Sequence, residues 1–98
     1  MSCEVTARVE RVAPSLESPL YAVVELSLAN AGPAPCRVLR FRLVWPGGEA
    51  QYDPKDFAVA PGQRATRKVQ IGPDRADVPA LLAARGAVRV EILQTAAP

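Results

Sequence analysis

Ala22-Val23-Val24-Glu25-Leu26-Ser27-Leu28-Ala29, followed by Asn30-Ala31-Gly32-Pro33-Ala34-Pro35, is the stretch on which the fold reading turns. In a strand expected from Leu20 to Ala29, Ala22, Val24, Leu26 and Leu28 fall on one face. Val23, Glu25 and Ser27 fall on the other. This is the two-residue period of a strand, not the 3.6-residue period of a helix. The residues that follow cannot extend a ladder, because Gly32 tolerates positive φ and Pro33 and Pro35 have no N–H to donate.

The same period recurs on both sides. From Cys3 to Val12, the residues Cys3, Val5, Ala7 and Val9 alternate with Glu4, Thr6, Arg8 and Glu10, and Pro14 ends the run. From Cys36 to Trp45, Leu39, Phe41, Leu43 and Trp45 are expected inward, with Arg40 and Arg42 opposite them. Pro46-Gly47-Gly48 then reads as a hairpin turn. Glu49 to Val59 is less regular: Gln51-Tyr52-Asp53 reads as a short strand stopped at Pro54, and Phe57 and Val59 form an apolar pair before the turn Ala60-Pro61-Gly62.

Arg64 to Ile71 is a further strand with Ala65, Val69 and Ile71 inward. Arg67 shares their side, so it is placed near a sheet end where its head reaches water. After Gly72-Pro73-Asp74, Asp77 is a candidate N-cap and Pro79 suits the first turn of a two- or three-turn helix. Gly86 is its expected stop. So short a helix is not stable alone and must pack through Val78, Leu81 and Leu82. A last strand is expected over Ala87–Leu93, with Val88, Val90 and Ile92 inward and Thr95–Pro98 frayed. Closely spaced turn signals favour an antiparallel sandwich over a parallel α/β sheet. The expected fold class is all-β, an immunoglobulin-like antiparallel β-sandwich with one short helix before the last strand, in a single domain over residues 1–98.

Ninety-eight residues fit one domain with one modest core, and 49% hydrophobic with 22% charged residues is a globular composition. A formal charge of +2 is too small to argue for nucleic acid or an acidic membrane. The absence of His removes the commonest general base and the commonest metal ligand. No stretch approaches the roughly 20 apolar residues of a membrane span. Met1–Arg8 lacks the basic and apolar regions of a signal peptide. The expected location is therefore cytoplasmic, with a mature form cut from a longer precursor as the alternative.

Cys3 and Cys36 are read first as buried free thiols, which a cytosolic chain favours, and second as a disulfide. Two thiolates without His are a poor zinc site, so no metal and no cofactor is expected. Asp53 with Asp56, and Asp74 with Asp77, are better explained by turns and helix capping than by calcium. Arg37, Arg40 and Arg42 are the most suggestive group. Glu4, Glu10, Glu25 and Glu91 also face outward, which makes cross-strand ion pairs the simpler account and an acidic protein partner the next. Tyr21 and Tyr52 are read as half-buried sheet residues. Val23, Val38, Val44 and Leu93 are an outward apolar set that would mark a partner surface if contiguous.

Val24 to Pro35 resembles the strand-then-turn element of bacterial immunoglobulin-like domains. Phe57-Ala58-Val59-Ala60-Pro61-Gly62 resembles their later apolar-x-apolar-x-Pro-Gly turn, and a helix before the last strand is similar to the LEA type 2 and WHy sandwich domains. The resemblance spans about residues 5 to 93. It implies a non-enzymatic binding or stabilising module.

The expected function is a non-catalytic protein-binding or assembly module, acting through Arg40, Arg42 and Leu93 or through the edge of the Ala87–Leu93 strand. The expected partner is a protein or a second copy, with no nucleic acid and no small-molecule substrate. A monomeric structural or stress-protective domain is the alternative.

Overall fold

The computed structural model describes residues 3–55 and 57–96. Seven strands are present among them: β1 (Val5–Pro14), β2 (Ala22–Asn30), β3 (Cys36–Trp45), β4 (Gly48–Tyr52), β5 (Ala58–Val59), β6 (Arg64–Ile71) and β7 (Arg89–Ala96). Helix α1 (Val78–Ala83) and a single 3-10 turn (Arg85–Ala87) lie between β6 and β7.

The first sheet has the order β1-β2-β6, antiparallel throughout. In the second, β3 is central. At Arg37 both β5 and β7 pair with it, and along Phe41–Val44 both β4 and β7 do, so β4 and β5 share one side and β7 has the other. The two sheets stack with Val24, Leu26, Leu28 and Ile71 of the first against Val38, Phe41, Leu43 and Val59 of the second, all buried. Each such side chain contributes roughly 1.5–3 kcal/mol by leaving water. This is the all-β sandwich with a short helix before its last strand that the alternation predicts.

Asp77 caps α1 through its carboxylate, which accepts from the Ala80 N–H at 3.2 Å. Leu81 and Val78 are the helix's buried residues. The helix is shorter than expected, because the Ala84 N–H already closes it on Ala80 and Leu81 and the next turn tightens through Ala87 N–H to Ala84 C=O. Gly86 lies in that 3-10 turn and does not stop the helix. Two other turns are built by Pro-Gly pairs. Gly47 at φ 91° follows Pro46, and Gly62 at φ 68° follows Pro61, the left-handed third position that a type II turn requires.

Four expectations are corrected. Val38 is 1% exposed and points inward, and Leu39 is only half-buried, because β3 carries an extra residue at Leu39 against β7. Leu93 is the compensating extra residue in β7, between the Phe41↔Ile92 and Arg40↔Gln94 pairs. Leu20 precedes β2 in an exposed loop, outside the expected strand. Thr95 and Ala96 are not frayed but pair with Val38 and Arg37; Ala97 and Pro98 lie outside the described residues. Arg67 stands opposite Leu26 in mid-strand, and it reaches water sideways because β6 is the outer strand of its sheet.

Candidate functional site

The outer face of the second sheet gathers Arg40, Arg42 and Leu93. Arg42 points outward from β3 by alternation with buried Phe41 and Leu43. Its direct cross-strand neighbour is Glu91 of β7, and Glu49 of β4 lies on the opposite flank. Its guanidinium donates to Glu91 through Nε and Nη2 and stands 3.4 Å from Glu49. The Glu91 hydrogen bond and charge, with a smaller contribution from Glu49, raise the Arg42 pKa above its ordinary value. Arg40 donates from Nε to Asp53 at 2.9 Å.

Leu93 is 42% exposed and sits at the β7 bulge, next to Gln94, the partner of Arg40. The face is therefore a band of cross-strand ion pairs beside one exposed leucine. On the other sheet Lys68 of β6 pairs with Glu25 of β2, while Arg8 pairs with Glu10 along β1 itself. Water screens such exposed pairs, so they neutralise the faces more than they stabilise the fold.

The remaining candidates are held by the fold. Asp77 is the helix cap. Tyr52 is half-buried, stacked on Phe41 at 5.6 Å and covered by the Arg75 guanidinium at 5.0 Å. Asp56 lies outside the described residues. Among the described residues no group of three or more Cys, Asp or Glu is placed to hold a metal ion.

Cys3 and Cys36 are joined in a disulfide, with Cα atoms 5.7 Å apart, so the free-thiol reading is replaced by its alternative. The bridge ties the residues before β1 in one sheet to the start of β3 in the other. Strand alternation aims Cys3 inward, but only the stacking of the sheets brings Cys36 opposite it.

Sequence reasoning missed the largest apolar exposures. Leu16 and Leu20 are 103% and 63% exposed in the β1–β2 loop. That loop is held by Ser15 N–H to Tyr21 C=O at 3.0 Å, and by the Ser15 and Ser18 hydroxyls accepting from the Glu17 and Leu20 N–H groups. Leu16 lines a groove of about 400 Å³ on the outer face of the first sheet together with Ala13, Val23, Glu25, Lys68 and Gln70. No helix among the described residues is long and apolar enough to cross a membrane. Compared with known protein families, curated proteins and solved structures, the chain has no significant match.

Proposed function

We propose that this chain is a non-catalytic protein-binding module. The observation that supports this is Leu93: a large apolar side chain exposed on β7, a strand that pairs only with β3 among the described residues, beside the Arg40–Asp53 and Arg42–Glu91 pairs. An apolar contact rimmed by charge is the composition of a small protein interface. The charged groups of this face hold each other across strands instead of converging on a cleft, which favours binding over catalysis.

The cystine bears on location. Disulfides persist in oxidising surroundings, which favours a compartment outside the reducing cytosol over the cytoplasmic location expected from sequence.

The test is Leu93→Lys. Association, read by light scattering for a second copy and by paired co-purification of wild type and variant from the source cell for another partner, weakens at least tenfold, while the melting temperature is nearly unchanged. Association unaltered by the substitution overturns the assignment of this face. A second reading is a monomeric structural domain of the kind the LEA and WHy resemblance implies. It is favoured by the β7 bulge, since bulges twist an edge away from pairing; a strict monomer without a partner decides for it.

A further inference from the structure

We propose that the free edge of β6 accepts an extended acidic segment of a partner protein as an added strand. The inference rests on the protein-binding reading but concerns a different surface.

Sandwich edges differ in how well they can take another strand. β1 is bulged between Val9 and Arg11, and β7 is bulged at Leu93 and lies alongside β1. β4 has five residues and β5 two. β6 has eight residues, contains no proline, and keeps an unbroken register with β2 from Ala22↔Ile71 to Ala29↔Arg64. Among the described residues no strand pairs with its other side.

The hydrogen-bonding phase of that edge follows from one bond. The Asn30 N–H donates to the Gln63 C=O at 3.0 Å, in line with the same register. Antiparallel ladders alternate, so Ala65, Arg67, Val69 and Ile71 direct their backbone groups to β2. Arg64, Thr66, Lys68 and Gln70 direct theirs outward. All four have exposed side chains, on the outer face of the sheet.

Charge selects the occupant. β6 carries Arg64, Arg67 and Lys68 and no acidic residue. Lys68 is only loosely compensated, 3.8 Å from Glu25, and Arg64 makes no ion pair among the described residues. Arg67 is turned under the strand, donating to Ala58 C=O at 3.4 Å and Thr66 C=O at 3.1 Å. Two copies pairing through β6 would bring the four outward cations, Arg64 and Lys68 of each copy, together with no acidic residue on either β6 strand. An acidic strand instead sets carboxylates opposite Arg64 and Lys68, four residues apart on one face, where cross-strand pairs of opposite charge are favourable.

The probe is a blocked nine-residue peptide alternating glutamate with valine, compared with its lysine counterpart, against the intact disulfide-bonded chain. The glutamate peptide binds at least tenfold more tightly, and salt weakens it. In amide exchange, Arg64, Thr66, Lys68 and Gln70 exchange rapidly in the free chain and become protected when it binds. Thr66→Pro removes an outward N–H without touching the β2 ladder and abolishes binding. Arg64→Glu with Lys68→Glu keeps the backbone intact and reverses the preference to the lysine peptide, which covers the case in which Thr66→Pro does not fold. Equal binding of the two peptides, unchanged exchange at the four amides, or concentration-dependent protection of them in the chain alone overturns the proposal. Leu93→Lys leaves peptide binding unchanged. Failure of the wild-type chain to bind the glutamate peptide, with Leu93-dependent association intact, overturns the β6 assignment alone.

Discussion

Asn30 shows how much one side chain can organise. It is 2% exposed, and its amide donates to the Ala34 and Val59 carbonyls at 2.9 Å while its Oδ1 accepts from the Gly32 N–H. Its own backbone meets Gln63 and Gly62. One amide therefore pins the end of β2, the Ala31–Pro35 turn and the end of β5 together. Carboxamide geometry supplies two donors and one acceptor at once, which Asp and Ser do not. Asn30→Ala removes three hydrogen bonds around a buried position. It is expected to cost about 2–4 kcal/mol, seen as a lower urea midpoint with an unchanged slope. A loss below about 0.5 kcal/mol would show that water replaces the amide there.

Among the elements, the extra residue Leu39 reverses the inward parity of β3 halfway along, and Leu93 is its counterpart in β7. Below the bulge Cys36 and Val38 face the core, and above it Phe41, Leu43 and Trp45 do. An aspartate at Val38 would be buried without a counter-charge and is expected to cost more than about 3 kcal/mol. The same change at half-buried Leu39 is expected to cost less than half as much. Thermal melts of Val38→Asp and Leu39→Asp settle the register: a greater loss at Leu39 would restore unbroken alternation and return Val38 to the surface. The same bulge explains why Leu93 is exposed beside Arg40. The Leu93→Lys and β6 experiments are thus tests of two differently shaped edges, one bulged and one straight.

For the whole molecule, the Cys3–Cys36 bridge closes a loop with a sequence separation of 33. In the chain-entropy account this restriction of the unfolded chain stabilises by about 3.5–4 kcal/mol, a large share of the stability of a domain this size. Non-reduced protein should be lighter than reduced protein by two hydrogens. Cys3→Ser with Cys36→Ser should lower the melting temperature markedly, with the strand content retained below it. Two titratable thiols in unfolded, non-reduced protein would restore the free-thiol reading instead.

The middles of the long strands, the Pro-Gly turns, the Asp77 cap and the outward placement of Arg40 and Arg42 were legible in the sequence, because they depend on local alternation, φ preference and capping chemistry, whereas the last strand runs Arg89–Ala96 and not Ala87–Leu93. The bounds of β6, Arg64–Ile71, were legible, though not the mid-strand place of Arg67. Val38, Leu93, the disulfide and the order of strands were not. A bulge arises where two strands of unequal local length must stay in register, and neither strand alone carries that mismatch. The Cys3–Cys36 contact and the pairing of Arg40 with Asp53 and Arg42 with Glu91 join residues far apart in the chain, so tertiary structure alone decided them. The same holds for which edges lie open, because an edge is defined by the strand that is not beside it.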